Sequence, residues 1–234
     1  MNHETVLADM LSAAFEAASL IQCTDVTRPP GRRRPEWRRG LASTPLAAVV
    51  PSSAPLAEFD HEDAAGRLTA LLGELGFAAS REVHTGGGRR RFTVQRVLVP
   101  QPQRAEVIRT LSAAWRDGCR ALLNTTPLGA SSPRNAQRAT LARVAWRAAL
   151  LAGGRRLRAD FLGVRLGDQE MAAVLVRAAR VLGVTAVVLP RPGCLVVTVS
   201  ALDERVRILS TMSVEGYVRR RVPVSWGTKA ALSA

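Results

Sequence analysis

Leu68-Thr69-Ala70-Leu71-Leu72-Gly73-Glu74-Leu75-Gly76-Phe77 lines up with Leu175-Val176-Arg177-Ala178-Ala179-Arg180-Val181-Leu182-Gly183-Val184 at a shift of 107 residues. Each stretch repeats apolar residues three and four positions apart, the spacing of one helix face. Each closes on a glycine, the usual residue just past a helix C-terminus. Both begin with an acidic helix-start signal, Asp60-His61-Glu62-Asp63 in one and Asp168-Gln169-Glu170 in the other. Both then run to a pair of short apolar segments, residues 78–83 and 92–97 in the first copy and 185–189 and 195–199 in the second. A duplicated helix–strand–turn–strand unit implies two similar halves packed about a pseudo-twofold axis.

The flanking sequence extends the unit. Residues 4–22 carry Val6, Leu7, Met10, Leu11, Ala14, Phe15 and Ala18 at helical spacing. Residues 46–50 and 56–59 read as two short strands joined by Pro51-Ser52-Ser53, with Asp60 placed to cap the next helix. Gly86-Gly87-Gly88 and Pro190-Arg191-Pro192-Gly193 supply the two hairpin turns. Helices are predicted over 103–123, 136–152 and 203–212, with strand-forming sequence between 158 and 166. Each half then reads helix, strand pair, helix, strand pair, helix, an α+β design with helices on one face of antiparallel sheets. The boundaries that follow are 1–45 for an N-terminal helix and basic arm, 46–123 for the first repeat and 124–135 for a linker. Residues 136–213 make the second repeat and 214–234 a basic tail.

Charge points to the partner. Lys and Arg number 33 against 19 acids, a net charge of +14 over 234 residues, and Lys229 is the only lysine. A surplus of that size attracts polyanions, and arginine forks suit phosphate. The candidate DNA contacts are Arg32, Arg33, Arg34, Arg38 and Arg39 on the arm, Arg89, Arg90 and Arg91 on the first hairpin, and Arg138, Arg155 and Arg156 in the second repeat. Double-stranded DNA is the expected partner. The alternative use for the charge is a solvated face balanced by acids elsewhere. Cys23, Cys119 and Cys194 are odd in number and widely spaced, so no disulfide framework is implied. The N-terminus lacks a basic signal-peptide region and no apolar run is long enough to span a bilayer, which predicts a cytoplasmic, nucleoid-associated protein without membrane contact.

The stretch Trp146-Arg147-Ala148-Ala149-Leu150-Leu151-Ala152-Gly153-Gly154 is a helix ending in Leu-Ala-x-Gly, followed by a strand, the copied helix and a hairpin. That order resembles a degenerate LAGLIDADG repeat. Residues 146–212 are similar to the second repeat of the WhiA family of bacterial sporulation and cell-division regulators, and residues 56–97 to its first. The resemblance implies two pseudo-symmetric LAGLIDADG-like αββαββα repeats, a role in transcriptional control, promoter DNA as ligand and a transcription factor as a further partner. It also implies two helices packed at the pseudo-twofold, each ending, in active homing endonucleases, in an acid that binds a divalent metal. Gly153 stands at that acid's position here, followed by Gly154. In the first copy, Trp37-Arg38-Arg39-Gly40-Leu41-Ala42-Ser43 sits near the matching offset, with the N-terminal helix as the alternative. Glycine cannot ligate a hard cation, so the expectation is no nuclease activity, no catalytic residues and no cofactor. Family members continue into a helix-turn-helix domain, whereas this chain is expected to lack one and to bind through the repeats. The other reading is an interaction module that binds a transcription factor or the transcription machinery without touching DNA.

Other constellations carry less. Asp60, Glu62 and Asp63 read as first-turn helix acids rather than a metal or acid–base cluster. His3, His61 and His84 have no zinc-ligand spacing with any cysteine. The triple glycine before Arg89 lacks the helix and the Lys-Ser/Thr of a phosphate loop. Cys119 lies among apolar neighbours with no histidine nearby in sequence, which argues against a nucleophile.

Overall fold

The computed structural model describes residues 3–26, 54–86, 92–124, 132–153, 155–157 and 160–212. Two helices that are apolar nearly all round form its centre. In α1 (His3–Gln22) every side chain from residue 14 onward is buried, and in α4 (Pro133–Ala152) Leu141, Ala142 and the run 144–146 and 148–152 are buried as well. A helix apolar on all sides has to be enclosed by other elements. Here α1 and α4 pack on each other, with α2 (Glu62–Glu74) and α3 (Gln101–Leu123) against α1 and α5 (Gln169–Val181) against α4. The N-terminal helix therefore fills the place opposite α4. The alternative at residues 37–43 lies outside the described residues, as does the strand expected at 46–50.

Seven strands form two antiparallel sheets. The first has the order β1 (Ala57–Phe59), β3 (Phe92–Leu98), β2 (Ser80–Gly86). The second has the order β4 (Arg155–Leu157), β5 (Leu162–Leu166), β7 (Cys194–Val199), β6 (Val187–Arg191), and α6 (Leu202–Ser210) closes the unit. The architecture is α+β with two repeats, as the duplicated pattern predicts.

Their equivalence extends to the register. Ala57 pairs with Val97 and Val164 with Val197, while Ser80 pairs with Leu98 and Val187 with Thr198. The shift of 107 residues thus holds through β1, α2 and β2 and drops to 100 in β3. The whole difference falls in the hairpin. Helices α2 and α5 end alike. Gly76 (φ 83°) and Gly183 (φ 68°) occupy the left-handed region, and the N–H groups of Phe77 and Val184 return to the carbonyls of Leu72 and Ala179. This double return satisfies carbonyls that would otherwise be left bare at the helix end. The residue after each cap is held the same way: Ala78 N–H donates to Gln103 Oε1 at 2.8 Å and Thr185 N–H to Glu204 Oε1 at 3.0 Å. Of the predicted helix faces, Leu68, Leu71, Leu72, Leu175, Ala178 and Ala179 are fully buried, with Leu75 and Leu182 half-buried at the ends.

Several expectations need correction. The cap of α2 is His61, without a side-chain hydrogen bond, whereas Asp168 caps α5 by accepting from Met171 N–H at 3.3 Å. Asp60 lies one residue too early to reach the orphan donors. Pro190 and Arg191 belong to β6, an edge strand where a missing N–H is tolerated, and the turn itself is Pro192-Gly193. Among the described residues no helix is long and apolar enough to cross a membrane.

Candidate nucleic-acid interface

Strand alternation gives each sheet a helix-facing and an outward-facing set of side chains. On β5, Leu162, Val164 and Leu166 are buried against the helices, which turns Gly163 and Arg165 outward. Across the sheet Arg165 stands opposite Val196, and Val196 opposite Leu189. The next row is Gly163, Thr198 and Val187, and beyond Leu189 comes Arg191 opposite Cys194. These side chains, with Phe161, Pro192 and Ser200, line an open groove of about 550 Å³. Its charged groups are Arg165, Arg191 and, at one end, Asp160.

The first sheet presents a different outer face. Glu58, Arg96 and Glu82 form one row across β1, β3 and β2, and His84 stands opposite Val94 in the next. Arg96 Nε donates to Glu58 Oε1 at 2.9 Å in a half-buried pair.

The groove of the second sheet starts where α4 stops. The N–H of Arg165 donates to the Gly153 carbonyl at 3.0 Å. A Cβ on residue 153 would stand 2.7 Å from Val164 Cγ1, 2.8 Å from the Ala149 carbonyl oxygen and 3.0 Å from that of Arg165. No side chain fits there. At the end of α1, Gln22, Cys23 and Thr24 are buried, and the Thr24 hydroxyl donates to the Ile21 carbonyl. Among the described residues no three His, Cys, Asp or Glu side chains stand together as metal ligands.

The predicted contacts distribute as follows. Arg32, Arg33, Arg34, Arg38, Arg39, Arg89, Arg90 and Arg91 lie outside the described residues. Arg155 and Arg156 sit on β4, their backbone opposite Val164 and Gly163, so residue 156 has a register position in the outward row. Arg138 lies at the far end of α4 from Gly153, where its guanidinium donates to the Asn124 carbonyl at 2.8 Å and ties α4 to α3. Arg165 and Arg191 were absent from the expected contacts, although the alternation of residues 162–166 singles out Arg165.

Two further groups have structural duties. Glu16, 1% exposed, receives Arg67 from α2 through Nε at 2.9 Å and Nη2 at 2.8 Å, and Arg147 from α4 through Nε at 2.6 Å and Nη2. The hydrogen bonds from Glu16 hold the Arg67 guanidinium charged above its ordinary range, against the opposing effect of burial. Cys119 is buried, and its thiol is pushed well up by desolvation first and then by the nearby carboxylates of Glu170 and Asp168. A thiol so held is a poor nucleophile.

No protein-family model and no curated protein matches the sequence. Among solved structures, the chain is similar to the N-terminal LAGLIDADG domain of DUF199/WhiA, with 12% identity, a TM-score of 0.47 and coverage of 93% of both chains. It is similar to full-length DUF199/WhiA from Thermatoga maritima, with 14% identity and a TM-score of 0.46, covering 86% of this chain and 62% of that one. It is also similar to I-DmoI in complex with DNA and Mn, with 12% identity and a TM-score of 0.46, covering 86% of this chain and 98% of that one.

Proposed function

We propose that this protein is a DNA-associated transcriptional regulator that binds duplex without cutting it. The observation that carries the reading is the outward face of the second sheet, where Arg165 and Arg191 flank Val196 and Leu189 in an open groove. Arginine forks can neutralise phosphate or grip base edges, and strands of a sheet can enter a major groove. The net charge of +14 supports a polyanionic partner and a nucleoid-associated location. The crowding at Gly153 supports the absence of catalysis, because a metal-dependent nuclease needs carboxylate oxygens where that residue admits no side chain. The resemblance to WhiA extends the proposal to control of sporulation or cell division, with a transcription factor as second partner.

The test is fluorescence anisotropy with duplex DNA across a salt series. Log affinity should fall linearly with log salt, by about 0.9 for each phosphate neutralised. Magnesium or manganese should yield no cleaved product. Absence of binding at low salt would refute the proposal. It would favour a protein-binding module instead, a role for which exposed Val187, Val188 and Leu189 on edge strand β6 offer apolar surface.

A further inference from the structure

The two sheets share strand order and register, yet their outward faces differ in chemistry, and the difference bears on how a target would be read. On the second sheet the row Arg165–Val196–Leu189, with Arg191 one step on, contains no acid. On the first sheet the central row is Glu58–Arg96–Glu82, and the Arg96 guanidinium is already engaged by Glu58 at 2.9 Å. A guanidinium held by a carboxylate and flanked by a second one is poorly placed to grip a guanine edge, and acids facing the duplex repel phosphate. From this non-equivalence we infer that base reading belongs to the second repeat alone, so that the protein recognises an asymmetric site with one informative half. The inference rests on the DNA-binding reading above and deepens it.

The dimensions suit a single groove. Strands β5, β7 and β6 lie side by side, and three strands span about 10 Å between outer axes, against a major groove about 12 Å wide. Arg165 and Arg191 carry the bidentate geometry that matches guanine O6 and N7. Val196 and Leu189, between them, present methyl groups to thymine methyls. The informative half therefore combines guanine and thymine contacts. The half under the first sheet is bound without base preference.

The experiment selects duplexes from a random pool with the full chain and then measures anisotropy on a series of single base-pair substitutions across the selected site. Preferences should cluster in one half, and Arg165→Lys, which keeps the charge but removes the fork, should flatten them by roughly tenfold at a guanine with little loss of overall affinity. Arg96→Lys and Glu82→Gln should leave the base preferences unchanged. Far-UV circular dichroism melts confirm that each variant is folded. Preferences shared equally by two halves about a dyad would overturn the inference while leaving DNA binding intact, and so would loss of a base preference in Arg96→Lys. Failure of the wild-type chain to bind any duplex at low salt would overturn both readings.

Discussion

Arg147 on the second central helix grips Glu16 on the first through two guanidinium nitrogens, so one buried carboxylate joins the two repeats. Arg67 holds the same carboxylate from the other side, leaving two cations on one anion. Glu16→Ala should therefore cost more than loss of either arginine, about 3 kcal/mol or above, because it strands two partly buried charges. Arg67→Ala and Arg147→Ala each leave Glu16 with a partner and should cost less. Urea unfolding of the three variants gives the order directly, and a milder effect at Glu16 than at the arginines would contradict the shared role.

Gly153 marks the point of nearest approach between α4 and β5. Gly153→Asp places a Cβ inside contact distance of Val164 and two carbonyl oxygens, so strain of about 1–3 kcal/mol is expected together with continued inactivity toward DNA in magnesium. A stable variant with metal-dependent nicking would show that the end of this helix has more room than its packing allows.

Gly118 serves a similar purpose between α3 and α1. A Cβ there would lie 2.2 Å from Phe15 Cδ2, and the Phe15 ring is itself stacked on Trp115 with centroids 5.7 Å apart. Gly118→Ala should destabilise by about 1–3 kcal/mol through forced movement of that stack. Gly73, in α2, has nothing within 4 Å of its would-be Cβ, so Gly73→Ala should stabilise by about 0.5–1 kcal/mol. The opposite signs are read from thermal melts.

Cys119 makes stability depend on alkaline pH. Its folded-state pKa is raised, chiefly by desolvation, so the unfolded thiol ionises first. The contribution is complete below the unfolded pKa of about 8.5 and is lost as pH rises beyond it, at up to about 1.4 kcal/mol per pH unit. Unfolding free energies between pH 8 and 10 should fall more steeply for the wild type than for Cys119→Ala. Thiol labelling of the folded chain should favour the half-exposed Cys194 over buried Cys23 and Cys119.

Much of this architecture could be read before any coordinates. The copied helices, the glycine after each and the apolar segments that follow are local patterns, and local patterns with a fixed period survive into structure. Long-range electrostatics had no such signal. Arg147 looked like one more member of a basic cluster, yet it is committed to Glu16, 131 residues away in sequence. Arg138 likewise is tied to Asn124. Arg165 and Arg191 stood on strands whose alternation assigns a face, but arginine runs elsewhere drew the expectation. Charge density along a chain does not say which cations a neighbouring carboxylate or carbonyl will claim.

The bond between Glu16 and Arg147 also bears on the route by which the chain reaches its structure. Each β-hairpin closes between neighbouring strands, and the unit from α4 to α6 is continuous in sequence. The helix pair must instead close a loop of 131 residues, and ordering that loop is rewarded only when both surfaces are ready to meet. Docking of α1 on α4 is thus the late, cooperative event. A chain caught before it would expose the alanine-rich sides of both central helices, and the half-formed molecule is the species in which aggregation would start.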